Sequence, residues 1–159
     1  MVTWTVNHMG VTPLSGSIAA GGGTLEIDPA DPSTAKVEVT FNVADMTTTV
    51  PDFTKHLLSA EIFEADKNPT ATFTSTSVEA DGMKAKITGD LTIKGVTKSV
   101  TLDAEFFGAG TNPMTNTLDV GFSTTGQFNR SDFGLGYGVP NVASDAVDLQ
   151  ISAAFTKAQ

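Results

Sequence analysis

At 159 residues the chain falls in the range of one domain and is long enough to bury a core without covalent staples. It has no cysteine, which excludes disulfides, thiolate nucleophiles and cysteine-based metal sites. A net charge of −9, from 18 Asp and Glu against 9 Lys and Arg, argues against nucleic acid, whose binders carry a basic patch. No run of 18 apolar residues offers a transmembrane helix.

Composition points to strands. The chain holds 24 Thr, 14 Val and 10 Phe, residue types that favour a pleated, half-buried surface, with 15 Gly and 7 Pro to supply turns. Taken in order, Val2, Trp4 and Val6 alternate with polar residues and open the first strand. A second strand is expected near 12–20, with a bend or bulge at Gly16, and Gly21-Gly22-Gly23 reads as a turn before a strand over 24–28. Val37, Val39, Phe41 and Val43 alternate through 36–43. The rhythm then breaks: Phe53, Leu57 and Leu58 stand at helical spacing behind Pro51, which predicts a short helix at about 52–59. Alternation resumes over 70–78, turns at Ala80-Asp81-Gly82 as a hairpin, and continues over 84–93. Lys94-Gly95 marks the next turn, and a strand over 98–107 is expected to end in a turn from Gly108 to Pro113. Alternating strands over 118–128 and 146–155 complete the chain.

These elements, eight or nine strands and one short helix, predict an all-β fold: an eight-stranded antiparallel β-barrel with one short helix at about 52–59, as a single domain over 1–159, without repeat or linker. A barrel of this size is either filled by its own side chains or holds one small ligand. The inward set mixes Phe73 with Ala85, Gly89, Ala104, Gly126 and Ala153, and periodicity leaves both readings open.

Three stretches carry a more specific signal. The first runs from Thr48 to Ser75 through His56-Leu57, Ile62-Phe63, Asn68-Pro69 and Thr72-Phe73. The second is Gly89-Asp-Leu-Thr-Ile-Lys-Gly-Val-Thr-Lys-Ser-Val-Thr-Leu102, and the third is Asn129-Arg-Ser-Asp-Phe-Gly134 followed by Asp145-Ala-Val147. With Trp4-Thr-Val-Asn-His8 and Gly16, in this order, the chain resembles the YceI-like family over nearly its whole length. The resemblance implies an extended lipocalin-like barrel that binds a long polyisoprenoid lipid or an isoprenoid quinone in an apolar tunnel, exported to the periplasm. Two departures stand out. Phe53 and Thr54 occupy the positions of an Arg-Asp pair common in the family, and the chain opens inside the family's first strand, with no signal peptide ahead of it.

The expected tunnel lining is Trp4, Phe41, Phe73, Leu91, Phe106, Phe122, Phe128, Ile151, Ala153 and Phe155, with ordinary core packing the competing reading for any one of them. The headgroup candidates are Arg130, Asp132, His8 and His56. Arg130, the only arginine, could clamp a phosphate or carbonyl. The favoured reading is that it pairs with a nearby carboxylate and locks the loop before the last strand. His8 and His56 lie too far apart in sequence to give a metal-ligand spacing, so no metal is expected. His56 with Ser59 does not make a catalytic pair, and Gly21-Gly22-Gly23 lacks the helix and lysine of a phosphate cradle. The expected function is carriage, storage or sequestration of the lipid, with no enzymatic activity, no catalytic residue and no cofactor beyond a bound polyisoprenoid or quinone. The partners implied are the amphiphile itself, a second copy in a homodimer, and a membrane-protein donor or acceptor. The alternatives are a filled barrel serving as an interaction or stress-response module, and a lipid-headgroup hydrolase using His56 or Asp132.

Overall fold

The computed structural model describes residues 1–158. Nine antiparallel strands form one sheet: β1 (Val2–His8), β2 (Thr12–Ile18), β3 (Ala20–Asp28), β4 (Asp31–Asn42), β5 (Thr70–Asp81), β6 (Lys84–Ile93), β7 (Val96–Thr111), β8 (Leu118–Asn129) and β9 (Ala146–Thr156). Their order is β2-β1-β9-β8-β7-β6-β5-β4-β3. β2 and β3 are consecutive in sequence, separated by Ala19 alone, yet lie at opposite ends of that order. One bent segment thus supplies both margins of the sheet, and counting it once reconciles nine strands with the eight expected. Ser17 and Thr47 exchange backbone hydrogen bonds of 2.9 and 2.8 Å, which join β2 to the chain leaving β4 and draw the sheet round on itself.

The hairpins follow local chemistry. Lys94 and Gly95 both take positive φ, 53° and 75°, between Ile93 and Val96, as a two-residue turn with primed geometry requires. Gly82, at φ 60°, and Met83 turn β5 into β6. Three expected features move. Gly21-Gly22-Gly23 lies inside β3, because pairing with β4 carries the strand straight through it. Gly108 to Thr111 belongs to β7, so the turn falls later, at 112–117. Gly16 makes no bulge; it pairs in regular register with Trp4.

The single helix, α1 (Pro51–Leu58), has Pro51 in its first turn, where the missing N–H costs nothing. Asp52 in the first turn and Lys55 and His56 in the last complement the helix dipole. Leu57 is buried, and Phe53 and Leu58 pack against the core, so α1 caps one end of the barrel.

Burial grades along the strands. Met46, Leu57, Ile62, Phe73, Ile93, Val100, Leu102, Phe133 and Leu135 make a closed core beneath α1. On β7 the inward residues Val100, Leu102 and Ala104 are buried, whereas Phe106, the next one, is only half-buried. β8 repeats the gradient in the other direction, from Phe122, half-buried, to Thr124, buried. Side chains are buried most deeply in the helix half of the barrel and least in the half toward the β3–β4, β5–β6 and β7–β8 hairpins.

Candidate functional site

The barrel encloses a cavity of about 1260 Å³ that runs from Leu57, Ile62 and Leu135 at the helix end to Met83, Phe106 and Phe122 toward the hairpins. Its wall is the period-2 set of the strands, apolar except at a few positions. All ten residues expected to line a tunnel stand on it: Trp4, Phe41, Phe73, Leu91, Phe106, Phe122, Phe128, Ile151, Ala153 and Phe155. Phe106, Phe122 and Phe155 run edge to face, with centroids 6.0 and 6.5 Å apart, an arrangement that aromatic quadrupoles favour.

The volume does not come from Gly89 or Gly126. A Cβ on Gly89 would stand 2.6 Å from the Thr74 carbonyl oxygen and against the Phe73 ring, and one on Gly126 would overlap Leu102. These two glycines are seats for large neighbours, and neither lines the cavity. Ala85, Ala104 and Ala153 do line it. Of the filled and hollow readings the structure favours the hollow one, with the deepest burial at the helix end.

The headgroup candidates separate. Asp132 is exposed and off the cavity wall. His8, His56 and Arg130 reach the wall at the helix end. His56 Nε2 meets Glu61 Oε2 at 2.7 Å, and its ring stands edge-on to Tyr137, 4.8 Å between centroids. Ser59 Oγ donates to the His56 backbone carbonyl at 2.6 Å, so its hydroxyl is turned to the backbone. Among the described residues no cluster of three or more His, Asp or Glu is arranged to hold a metal.

Arg130 locks the loop that follows β8, as expected, but the acceptors are carbonyls. Its Nε donates to Ser144 O at 2.8 Å, one Nη to Leu135 O and Tyr137 O at 2.7 and 2.8 Å, and the other to Ala143 O at 2.9 Å. Partial burial pulls the guanidinium below its ordinary pKa, against the opposing pull of Asp145. Asp145 is held instead by Ser131, whose backbone N–H and hydroxyl donate to its two oxygens at 2.8 and 2.7 Å and bring its pKa below the usual carboxylate value. A guanidinium so engaged is a clasp for residues 135–144.

Phe53 lines the cavity and sits edge-on to Trp4 at 6.5 Å. Thr54 Oγ1 shares a 2.8 Å hydrogen bond with the Thr48 hydroxyl and so fixes the approach to α1. Trp4 Nε1 is buried without a hydrogen-bond partner, its indole wedged over Gly16. Sequence reading missed Tyr137 and Val142, which join the helix-end wall from an irregular loop where no period marks an inward face.

Comparison with known proteins agrees with this geometry. The model of the YceI-like domain matches residues 1–155. Protein YceI of Shigella flexneri is 40% identical over 151 residues, covering 95% of this chain and 78% of that protein. The crystal structure of the Campylobacter jejuni YCEI protein superposes with a TM-score of 0.84 at 31% identity, covering 96% of this chain and 90% of that one. A polyisoprenoid binding domain from Saccharophagus degradans shares the fold, with a TM-score of 0.67 at 14% identity, covering 99% of this chain and 93% of that one. By sequence along nearly its whole length and by the arrangement of its strands, the chain belongs to the YceI-like domain family.

Proposed function

We propose that the protein binds a long-chain isoprenoid lipid or quinone-like amphiphile in the cavity of the barrel and carries, stores or sequesters it without chemical conversion. The observation that carries this reading is the cavity of about 1260 Å³ with an apolar wall, beyond the roughly 300–1,000 Å³ of drug-sized sites. The shared fold of the polyisoprenoid binding domain from Saccharophagus degradans supports the same ligand class. The magnitudes suffice. Each buried methylene contributes about 0.8 kcal/mol, so ten give roughly 8 kcal/mol before ordering costs, the scale of a micromolar dissociation constant. A prenyl chain of several units exceeds that. The cellular form of this reading, which the family resemblance suggests, is a periplasmic carrier that exchanges its guest with membrane-protein donors or acceptors.

Native mass spectrometry of the purified protein, followed by organic extraction, tests the reading. An adduct of several hundred daltons with isoprenoid fragments is expected. An apo mass that is unchanged after incubation with long-chain prenyl lipids overturns it. Trp4, the only tryptophan, stands on the cavity wall, so titration with a quinone is expected to quench its fluorescence.

A further inference from the structure

Thr124 is the one polar side chain in the buried set among the described residues, 6% exposed, and it lines the cavity. Register fixes its direction. Thr124 stands opposite Ala104 on β7 and Ile151 on β9, both on the inner wall. On the outer face, paired hydroxyls find one another: Thr88 with Thr101 at 3.1 Å, Thr92 with Thr97 at 2.8 Å, Thr5 with Ser15 at 2.8 Å. Thr124 stands among apolar neighbours that offer no such bond. Once a guest expels water from the cavity, a hydroxyl left without a partner is costly, and valine would fill the same space free of that cost. Thr124 lines the cavity where the deep burial of the helix end gives way toward the hairpins, so it faces whatever the cavity holds.

We propose that Thr124 is a polar anchor for the guest, and that the guest presents to it an uncharged hydrogen-bonding group, a hydroxyl or a carbonyl. This rests on the isoprenoid reading above and narrows it. A phosphate brought to Thr124 would lose its water without meeting a free cation. Arg130 already donates to four carbonyls. Lys84, the lysine on the cavity wall, is exposed at the β5–β6 hairpin and alternates with inward Ala85, so its ammonium is held to the solvent side of the rim. Phe53 puts an aromatic ring, not a cation, on the wall beside Trp4. The net charge of −9 repels an anionic headgroup from outside as well.

The test compares three probes of equal chain length on the whole protein: geranylgeraniol, geranylgeranyl diphosphate and the hydrocarbon phytane, followed by Trp4 fluorescence and native mass spectrometry. The wild type is expected to bind the alcohol most tightly. Thr124→Val is expected to weaken the alcohol about two- to tenfold, the worth of one uncharged hydrogen bond, and to leave phytane unchanged. Thr124→Ser, which keeps the hydroxyl, is expected to restore the alcohol and guards against a folding artefact. Equal alcohol binding by wild type and Thr124→Val, or a wild-type preference for the diphosphate, overturns the anchor while leaving the isoprenoid reading in place. Binding of none of the three by the wild type overturns that reading and the anchor with it.

Discussion

The Trp4 indole lies directly on Gly16, its partner across the β1–β2 ladder, and a Cβ at that glycine would overlap the ring and stand 2.8 Å from the Thr47 carbonyl oxygen. The pair joins two functions of one side chain: one part of the indole packs on the backbone of β2, and another faces the cavity. Gly16→Ala is therefore expected to destabilise the protein by about 1–3 kcal/mol through overpacking. Gly22→Ala is the control. A Cβ there meets nothing within 4 Å, so stability should stay within about 0.5 kcal/mol of wild type. Thermal melts of the two variants side by side check the contrast, and equal melting temperatures would remove the seat argument.

Ala153 sits beside Phe122 on the cavity wall, toward the hairpins. Ala153→Phe adds a ring there without displacing a buried neighbour. The expected outcome is a folded protein whose long-chain guests are lost or replaced by shorter ones, read as adduct mass. Unchanged occupancy would place the guest elsewhere.

Arg130→Lys removes the fork and leaves carbonyls of residues 135–144 without their donors. A point charge cannot reach four acceptors in a plane, and the expected loss is roughly 2–4 kcal/mol. Amide exchange should rise first in the loop between Leu135 and Ser144. A lysine variant with wild-type protection in that loop would show that the clasp lies elsewhere.

Asp145 gives the acid limb of stability a specific origin. Its pKa is depressed in the folded state by the two Ser131 hydrogen bonds, so its contribution is present above the ordinary value of 3.8 and is lost as pH falls through the lower, folded value. Asp145→Asn is expected to melt earlier than wild type at pH 7 and to lose less on acidification, so the two curves converge below pH 3.8. Parallel melting curves across that range would assign the acid sensitivity to other carboxylates.

The strands were legible because one face of each is dry: Val37, Val39 and Phe41, or Val100, Leu102 and Ala104, declare their face by period alone. α1 was legible from Pro51 and the spacing of Phe53 and Leu57, and its observed start at Pro51 differs from expectation by one residue. What period could not show was depth. Phe73 and Phe122 carry the same pattern, yet one is core and the other half-open, because depth depends on where α1 and the loop after β8 close over the barrel. Glycine runs misled for a related reason. Turn chemistry and strand pairing compete for Gly21-Gly22-Gly23, and the ladder with β4 wins. The acceptors of Arg130 were out of reach of sequence, since they are backbone carbonyls that any residue would offer.

The grading of burial along the barrel has a consequence for which positions tolerate change. Gly16, Gly89 and Gly126 each seat a large side chain, and even one added methyl would collide. Toward the hairpins, Ala85, Ala153 and Phe155 face open space, where size can change at little cost to the fold. Substitutions on the hairpin side are thereby expected to be tolerated more readily than those at the glycine seats. The shape of the cavity can therefore be altered from the hairpin side without touching the seats that hold the barrel together.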